Sequence, residues 1–245
     1  MAVVRAIIHQ TFLIVTVIPY ALACILWAPL PLRWRYRLTV GWPRLVMWAN
    51  RVILGIDCQV KGAHNLPDGP AIILSKHQSA WETLFFPTYM PRDVCYVYKK
   101  ELHYIPFFGW GLALLRMIPI DRSKGRDAFE QVVRRGQECL DDGRWPILFP
   151  EGTRVPPGQA GRYKMGGARL SVRTGVPVIP VAHNAGELWP RRAFIKRTGT
   201  VTVSIGPAIY PDGLKADELN DKVRDWIESE MHNLNPERYE RTCSA

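Results

Sequence analysis

The chain has 245 residues, which suits one full α/β core with an appendage. Its 32 lysines and arginines exceed its 22 acidic residues, and the formal charge of +10 favours anionic partners: phosphates, acidic lipid head groups or nucleic acid. The five cysteines are odd in number and scattered, with no Cys-x-x-Cys pair. The composition therefore argues against a disulfide framework and a zinc site, and it fits a reducing compartment.

The first predicted element is an apolar N-terminal segment. Residues 11–32 form an uncharged stretch of 22 residues, long enough to cross a hydrocarbon core. Trp27 and Trp34 lie near its end, where interfacial aromatic residues are enriched. A cleaved signal peptide fits less well, because its apolar region is shorter and no Ala-x-Ala-like site precedes the arginines. The sequence leaves open whether the segment spans a membrane or lies in it.

The next segment is basic and rich in tryptophan. Over residues 33–56, five arginines alternate with tryptophans and bulky aliphatic residues. This pattern predicts an amphipathic helix in a membrane interface, and a helix buried in the core is the alternative. The arginine excess after the apolar stretch places the rest of the chain on the cytoplasmic side. Residues 1–56 are thus predicted to be a membrane-docking helical segment that precedes a domain over residues 57–245.

Beyond residue 56, short apolar runs rich in β-branched residues alternate with helical patterns. The runs cover residues 58–62, 71–75, 94–98, 117–120, 146–149, 176–182 and 200–205. Helical periodicity covers residues 126–143 and 217–234. The alternation predicts a single α/β domain with a mostly parallel or mixed sheet flanked by helices. Functional sites in such sheets gather at the carboxyl ends of strands.

His77 and Glu82 lie just after the run 71–75. On one regular helix an offset of five residues would turn them roughly 140° apart. If His77 lies in a loop and Glu82 in the first helical turn, the chain can fold back and join them. A carboxylate on one imidazole nitrogen fixes the tautomer and raises the basicity of the other nitrogen, which makes a general base. The alternative is a histidine bonded to backbone, with Glu82 only favouring the helix N-terminus.

Two more polar clusters follow apolar runs. Residues 149–154 read FPEGTR, in which Glu151 and Arg154 flank a glycine that permits close approach of a ligand. Arg154 can bind a phosphate with paired hydrogen bonds. Residues 118–122 read IPIDR and end in Arg122. Taken singly, these clusters can be a solvated turn and a surface ion pair, but three clusters after three strands indicate a site.

The sequence resembles the glycerolipid acyltransferases, in particular the bacterial 1-acylglycerol-3-phosphate acyltransferases. The resemblance runs from about residue 70 to residue 185 and rests on four blocks in order: His77 with Glu82 for His-x4-Asp, IPIDR, an intact FPEGTR, and the apolar strand 176–181. The acid of the first block is usually Asp, and here it is Glu82. The charge is kept on a side chain one methylene longer.

The resemblance implies a mechanism and a set of site residues. His77, held by Glu82, would deprotonate a glycerol hydroxyl as it attacks an acyl thioester. The resemblance implies that the residues binding the acceptor are Arg122, Glu151, Gly152, Thr153, Arg154 and Lys164. The two arginines would hold the phosphate, residues 151–153 would order the glycerol end, and Lys164 is the weaker candidate because it fits a solvated loop lysine equally well. No metal and no bound cofactor is implied.

The implied reaction acylates the sn-2 hydroxyl of 1-acylglycerol 3-phosphate (lysophosphatidic acid) and gives phosphatidic acid. The expected partners are membrane lipids, lysophosphatidic acid, and acyl-coenzyme A or acyl-acyl carrier protein as donor, at the cytoplasmic side of a bacterial inner membrane. The alternatives are another acceptor (glycerol 3-phosphate or a lyso-ornithine lipid) and a non-catalytic membrane adaptor. Nucleic-acid binding has only the net charge in its favour, since no motif supports it.

Overall fold

The computed structural model describes residues 1–105, 108–121, 123 and 125–240. The chain begins with three helices, α1 (Ala2–Leu26), α2 (Leu32–Thr39) and α3 (Gly41–Ala49), and a π-helical turn (Asn50–Leu54). These elements precede the first strand, and α1 is long and apolar enough to cross a membrane by length and composition.

The α/β part contains seven strands. They are β1 (Ile56–Lys61), β2 (Ile72–Ser75), β3 (Val94–Lys99), β4 (Ile118–Ile120), β5 (Trp145–Leu148), β6 (Val178–His183) and β7 (Gly199–Ile205). The helices are α4 (Trp81–Tyr89), α5 (Phe108–Leu114), α6 (Gly125–Asp141), α7 (Gly166–Thr174), α8 (Ala185–Leu188), α9 (Ala216–Leu234) and α10 (Pro236–Glu240). Every predicted strand is present within two residues of its predicted bounds, and so are both predicted helices.

The strands form one mixed sheet in the order β1-β7-β6-β2-β5-β3-β4. From β6 to β4 all neighbours are parallel, whereas β7 pairs antiparallel with β6 and parallel with β1. The predicted fold class, an α/β sheet flanked by helices, is confirmed. The carboxyl ends of β2, β3, β4, β5 and β6 consequently share one edge of the sheet.

Helices cover both faces of the sheet. On one face, α7 lies between α6 and α9 and contacts both, and the three helices pack on β2, β4, β5 and β6. Right-handed crossovers place α4 and α5 on the opposite face, because the chain moves across the sheet in opposite directions before and after β4. Helix α4 contacts α3, which contacts α1, so the N-terminal helices extend this second layer.

The prediction of a single amphipathic helix over the basic segment is wrong, because the segment forms two helices. Pro43 lies in the first turn of α3, where its missing N–H costs nothing, but its ring is incompatible with a helix that continues past the carbonyl of Thr39. Trp34 and Trp48 are exposed, while Tyr36, Val40 and Val46 are buried against the domain. Each helix therefore combines a packed side with an exposed aromatic side chain.

Helix α1 packs against the domain through a few polar contacts. His9 Nε2 lies 2.8 Å from Asn50 Oδ1, and Trp42 Nε1 donates to Thr16 Oγ1 over 3.1 Å. Most of the remaining surface of α1 is apolar and exposed, and it comprises Val3, Val4, Ile7, Ile8, Ile14, Val15, Val17, Ile18, Leu22, Ile25 and Leu26. An apolar surface of this extent marks an interaction site, and its composition fits a lipid environment.

The close contact between α7 and β2 predicts that Gly167 cannot be replaced by a larger residue without loss of stability. A Cβ at Gly167 would meet both methyl groups of Leu74, which is fully buried and has no room to move aside. We expect Gly167→Ala to destabilise the protein by about 1–3 kcal/mol, the usual cost of overpacking. Thermal unfolding of the detergent-solubilised protein measures this loss.

Gly166→Ala is the matched control on the preceding residue, because a Cβ there meets no atom within 4 Å. It should leave the melting temperature unchanged or raise it slightly, since alanine favours the helix. Equal melting temperatures for the two variants would contradict the close packing at Gly167.

Candidate active site

The first site cluster lies in the connection between β2 and α4. Strand β2 ends at Ser75, and α4 begins at Trp81 with Glu82 in its first turn. Ser79 helps to start the helix, because its hydroxyl accepts a hydrogen bond from Trp81 N over 3.1 Å. The short connection turns the chain back, so that Glu82 faces residues 77–79.

His77 and Glu82 form a direct pair. His77 Nδ1 lies 2.8 Å from Glu82 Oε1, which also accepts hydrogen bonds from the backbone N–H groups of Gln78 (3.0 Å) and Ser79 (2.9 Å). Burial alone would raise the pKa of the Glu82 carboxyl, but His183, His77 and the Ser79 N–H hold this pKa below its usual value. An ionised Glu82 accepts from Nδ1–H, which leaves the lone pair of His77 on Nε2.

The imidazole of His77 is held on its face as well as at its edge. The Phe149 ring stacks on it with a centroid distance of 4.0 Å and an interplanar angle of 20°. The His77 side chain keeps 15% of its surface exposed, and its Nε2 has no hydrogen-bond partner in the part of the chain that the structure describes. The arrangement leaves one basic nitrogen facing the solvent.

Glu151 follows β5 and meets His77 through the backbone. Its Oε2 accepts from His77 N over 3.0 Å, and its Oε1 accepts from Lys76 Nζ (2.8 Å) and Gly161 N (3.0 Å). Glu151 is 4% exposed. Both carboxylate oxygens are thus engaged within the protein.

Lys76 links Glu151 to α9. Its side chain is fully buried, and Nζ contacts Glu151 Oε1 and Glu228 Oε1, each at 2.8 Å, and the carbonyl of Gln159 at 3.0 Å. Glu228 lies on α9 and also accepts from the Tyr163 hydroxyl over 2.8 Å. One ammonium therefore joins the end of β2, the loop after β5 and α9.

The other residues of the FPEGTR block surround the same position. Gly152 has φ +67°, and a Cβ there would come within 2.8 Å of Lys164 Nζ, so the loop and the lysine approach closely. Thr153 and Lys164 are exposed, and Arg154 is half-buried. Val155 N donates to the carbonyl of His77 over 2.8 Å, which fixes Arg154 beside the histidine. No described residue forms a hydrogen bond or an ion pair with the Arg154 guanidinium.

The block IPIDR is described only in part. Asp121 follows β4 at the same sheet edge and pairs with Lys100 over 3.3 Å. Arg122 lies outside the described residues, so its place in the site stays a prediction. The structure brings His77, Glu82, Glu151, Gly152 and Arg154 together, with Lys164 against the loop.

Sequence reasoning gave no role to Lys76, Glu228 or Ser79. The signal for Lys76 was a charged residue directly after an apolar strand, which requires a buried partner, but the partner Glu228 was indistinguishable from the other acids of α9. Ser79 Oγ donates to the carbonyl of Trp189 over 2.7 Å. This bond ties residues 76–80, which we call the histidine loop, to the segment after α8.

His183, the last residue of β6, contacts the backbone next to His77. Its Nε2 lies 2.9 Å from the carbonyl of Lys76. His103 contacts the Tyr98 hydroxyl through Nδ1 over 3.0 Å. Among the described residues, no group of three or more His, Cys, Asp and Glu side chains is arranged to hold a metal ion.

Comparisons with known proteins identify the family of this chain. The family model "Acyltransferase" matches residues 57–184. A 1-acyl-sn-glycerol-3-phosphate acyltransferase of Pseudomonas aeruginosa is 46% identical over 211 residues, which cover 84% of this chain and 82% of that one. A chloroplastic enzyme of the same name from Brassica napus is 31% identical over 191 residues, 76% of this chain and 54% of its own.

A solved structure has the same fold. The crystal structure of the 1-acyl-sn-glycerophosphate acyltransferase of Thermotoga maritima superposes with a TM-score of 0.77 over 94% of this chain and 95% of that chain, at 23% identity. The family match covers the site residues from His77 to Arg154, and the Pseudomonas relative extends it over most of the chain. The chain therefore belongs to the acyltransferase family.

Proposed function

We propose that this enzyme transfers a fatty acyl group from a thioester to the sn-2 hydroxyl of 1-acylglycerol 3-phosphate, giving phosphatidic acid for phospholipid synthesis. The observation that carries the proposal is the His77–Glu82 pair, whose Nε2 has no partner among the described residues, with the backbone of the Arg154 segment bonded to His77. The name of the Pseudomonas relative supports this choice of acceptor.

His77 acts as the general base of the transfer. Nε2 takes the proton of the acceptor hydroxyl while the oxygen attacks the thioester carbonyl, and Glu82 stabilises the imidazolium that forms. The tetrahedral intermediate then loses the thiol, to which His77 returns the proton. The donor is acyl-coenzyme A or acyl-acyl carrier protein, and no acyl-enzyme forms.

Arg154 binds the phosphate of the acceptor. A guanidinium offers paired N–H donors to a phosphate dianion, and the backbone bond from Val155 to His77 keeps the main chain of Arg154 near the histidine. Arg122 is the second phosphate ligand by the sequence resemblance, while Gly152, Thr153 and Lys164 border the same region. The phosphate and the reacting hydroxyl are three bonds apart along glycerol, so one cleft serves both.

For Glu151 we propose positioning rather than contact with substrate. The sequence resemblance implied that it orders the glycerol end of the acceptor, but both of its oxygens are occupied by Lys76, Gly161 and His77 N. Its role is to hold the backbone of His77, and hence the imidazole, against the acceptor.

The enzyme works at a membrane, since its acceptor is a lipid and α1 exposes an apolar surface. The arginines that follow α1 favour the cytoplasmic face of the bacterial inner membrane. An inert adaptor would not need the ionised Glu82 and the open His77 Nε2, so the catalytic role fits the site better.

Removing the base tests the mechanism. We expect His77→Ala to lower kcat by about 10²–10⁴-fold with folding retained, because proton removal from the hydroxyl loses its acceptor. Glu82→Gln should cause a smaller loss, since its amide oxygen can still accept from Nδ1 while the charge is gone. Thiol release from acyl-coenzyme A in detergent micelles measures both.

His64→Ala is the matched control, an exposed histidine in the turn Ala63–Asn65. It should turn over at the wild-type rate. Comparable activity of His77→Ala and His64→Ala would exclude His77 as the base.

If Glu151 positions His77, its substitution should change kcat and leave the KM for the acceptor unchanged. In Glu151→Gln one end of the side chain becomes a donor, so His77 N or Lys76 Nζ loses its acceptor. An unsatisfied buried donor costs about 1–3 kcal/mol, and we expect kcat to fall roughly 10–100-fold while the acceptor KM stays constant.

Glu228→Gln is the control, because Glu228 shares Lys76 but does not contact His77. Its kcat should fall less. If Glu151→Gln instead raises the acceptor KM at constant kcat, Glu151 binds the acceptor as the sequence implied.

The proposed role of Arg154 is tested by changing this side chain and by removing the phosphate from the acceptor. Lysine keeps the charge but loses the paired geometry, so Arg154→Lys should lower kcat/KM for lysophosphatidic acid about tenfold or more without changing the donor KM. Wild-type kcat/KM for monoacylglycerol, which lacks the phosphate, should be lower still.

Arg173→Lys is the control. Arg173 lies on α7, on the face of the sheet that α6, α7 and α9 cover, and this variant should behave as wild type. Equal kcat/KM of the wild-type enzyme for lysophosphatidic acid and monoacylglycerol would rule out a phosphate-binding site.

A further inference from the structure

Residues 190–197, PRRAFIKR, form a loop between α8 and β7 that we call the basic-apolar loop. Phe194 is 49% exposed and Ile195 is 44% exposed. Arg192 and Arg197 are exposed on either side of them. The loop thus combines two bulky apolar side chains with cationic flanks, outside the residues that carry the acyl transfer.

The loop is braced, so this exposure is built into its shape. Its ends are joined by the bond from Arg197 N to Leu188 O, 2.8 Å long. Lys196 is buried inside the loop, where Nζ donates to the carbonyl of Phe194 over 3.0 Å and lies 5.1 Å from the centre of the Trp189 ring. The interior contacts hold Phe194 and Ile195 outward instead of letting them fold onto the domain.

The loop adjoins the N-terminal half of α1. Trp189 contacts His9 edge to face with ring centroids 5.4 Å apart, and Arg5 donates to the Thr198 hydroxyl over 3.2 Å. This half of α1 exposes the apolar side chains of Val3, Val4, Ile7 and Ile8. The exposed apolar side chains of α1 are therefore neighboured in the structure by a second exposed apolar element that is more basic.

We propose that the basic-apolar loop is a second membrane contact, which docks on an anionic lipid bilayer beside α1. Phe194 and Ile195 insert among the lipid chains, and Arg192 and Arg197 contact the anionic head groups, as basic amphipathic elements do at membrane interfaces. Exposed arginines suit either an anionic bilayer or an acidic carrier protein. A carrier protein would leave the outward apolar pair and its adjacency to α1 unexplained.

This docking brings the bilayer to the active site. Trp189 O accepts from Ser79 Oγ in the histidine loop, and Arg191 Nη1 lies 3.5 Å from the carbonyl of Arg154. The loop thus borders the cleft, so that a lipid acceptor reaches His77 without leaving the interface. The inference rests on the proposed membrane association and adds the surface through which the acceptor enters.

The experiment uses the full-length enzyme and vesicles of phosphatidylglycerol with phosphatidylethanolamine, or of phosphatidylcholine alone. The lipid concentration for half-maximal flotation measures docking. We expect Phe194→Ser with Ile195→Ser to raise it at least tenfold on both kinds of vesicle, through loss of apolar burial. Arg192→Gln with Arg197→Gln should raise it about fivefold for each arginine, on anionic vesicles only.

The control variants lie on α6 and α7, which cover the face of the sheet opposite to the layer that α1 extends. Val172→Ser on α7 removes an exposed apolar side chain, and Arg134→Gln on α6 removes an exposed cation. Both should float like wild type. Turnover of a short-chain monomeric lysophosphatidic acid in detergent separates failure of docking from failure of acyl transfer, and the loop variants should keep this activity while losing kcat/KM for acceptor in vesicles.

Unchanged flotation of both loop variants overturns the proposal. So does an increased KM for acyl-acyl carrier protein at unchanged flotation, which would make the loop a protein-binding surface. Should the loop variants not fold, hydrogen exchange of residues 189–198 in the wild-type enzyme decides the matter. Added anionic vesicles should protect this segment, and equal exchange with and without vesicles also overturns the proposal.

Discussion

A fully buried ammonium, that of Lys76, holds the active-site edge of the sheet together. An unpaired charge in this position would be very unfavourable, and two carboxylates and a carbonyl surround it instead. Removing one partner of such a pair typically costs about 3–5 kcal/mol. Because those partners come from the loop after β5 and from α9, the ion cluster requires all three elements to be in place before His77 is positioned.

The cluster also explains why the two acidic residues of the site behave differently. Glu82 uses one oxygen for the imidazole and two backbone N–H groups, and so acts directly on the base. Glu151 is neutralised by Lys76 and acts one step further away, through the amide of His77. In the mechanism we propose, the two carboxylates close to one histidine thus have separate roles: Glu82 stabilises the charge of the imidazolium, and Glu151 fixes the position of His77.

Local patterns in the sequence predicted the strands and the two long helices, but they left the pairing of Glu82 with His77 open, and the family resemblance favoured it. These features depend on residues within a few positions of one another, such as an apolar run followed by a helix start at Trp81. The partnership of Lys76 with Glu228 joins residues 152 positions apart and has no local signature. The break between α2 and α3 was visible as Pro43, but the arginine-tryptophan alternation around it suggested one continuous helix. The antiparallel entry of β7 likewise depends on long-range packing.

The stacking of Phe149 on His77 has a consequence for the order of events in catalysis. With Nδ1 held by Glu82 and one face covered by the phenyl ring, the imidazole cannot swing between two positions during a turnover. In the mechanism we propose, the proton that Nε2 takes from the hydroxyl leaves from the same point, toward the sulfur of the departing thiol. Because that mechanism forms no acyl-enzyme, the hydroxyl attacks the thioester directly, so donor and acceptor occupy the cleft together and the kinetics follow a ternary-complex scheme rather than a ping-pong scheme.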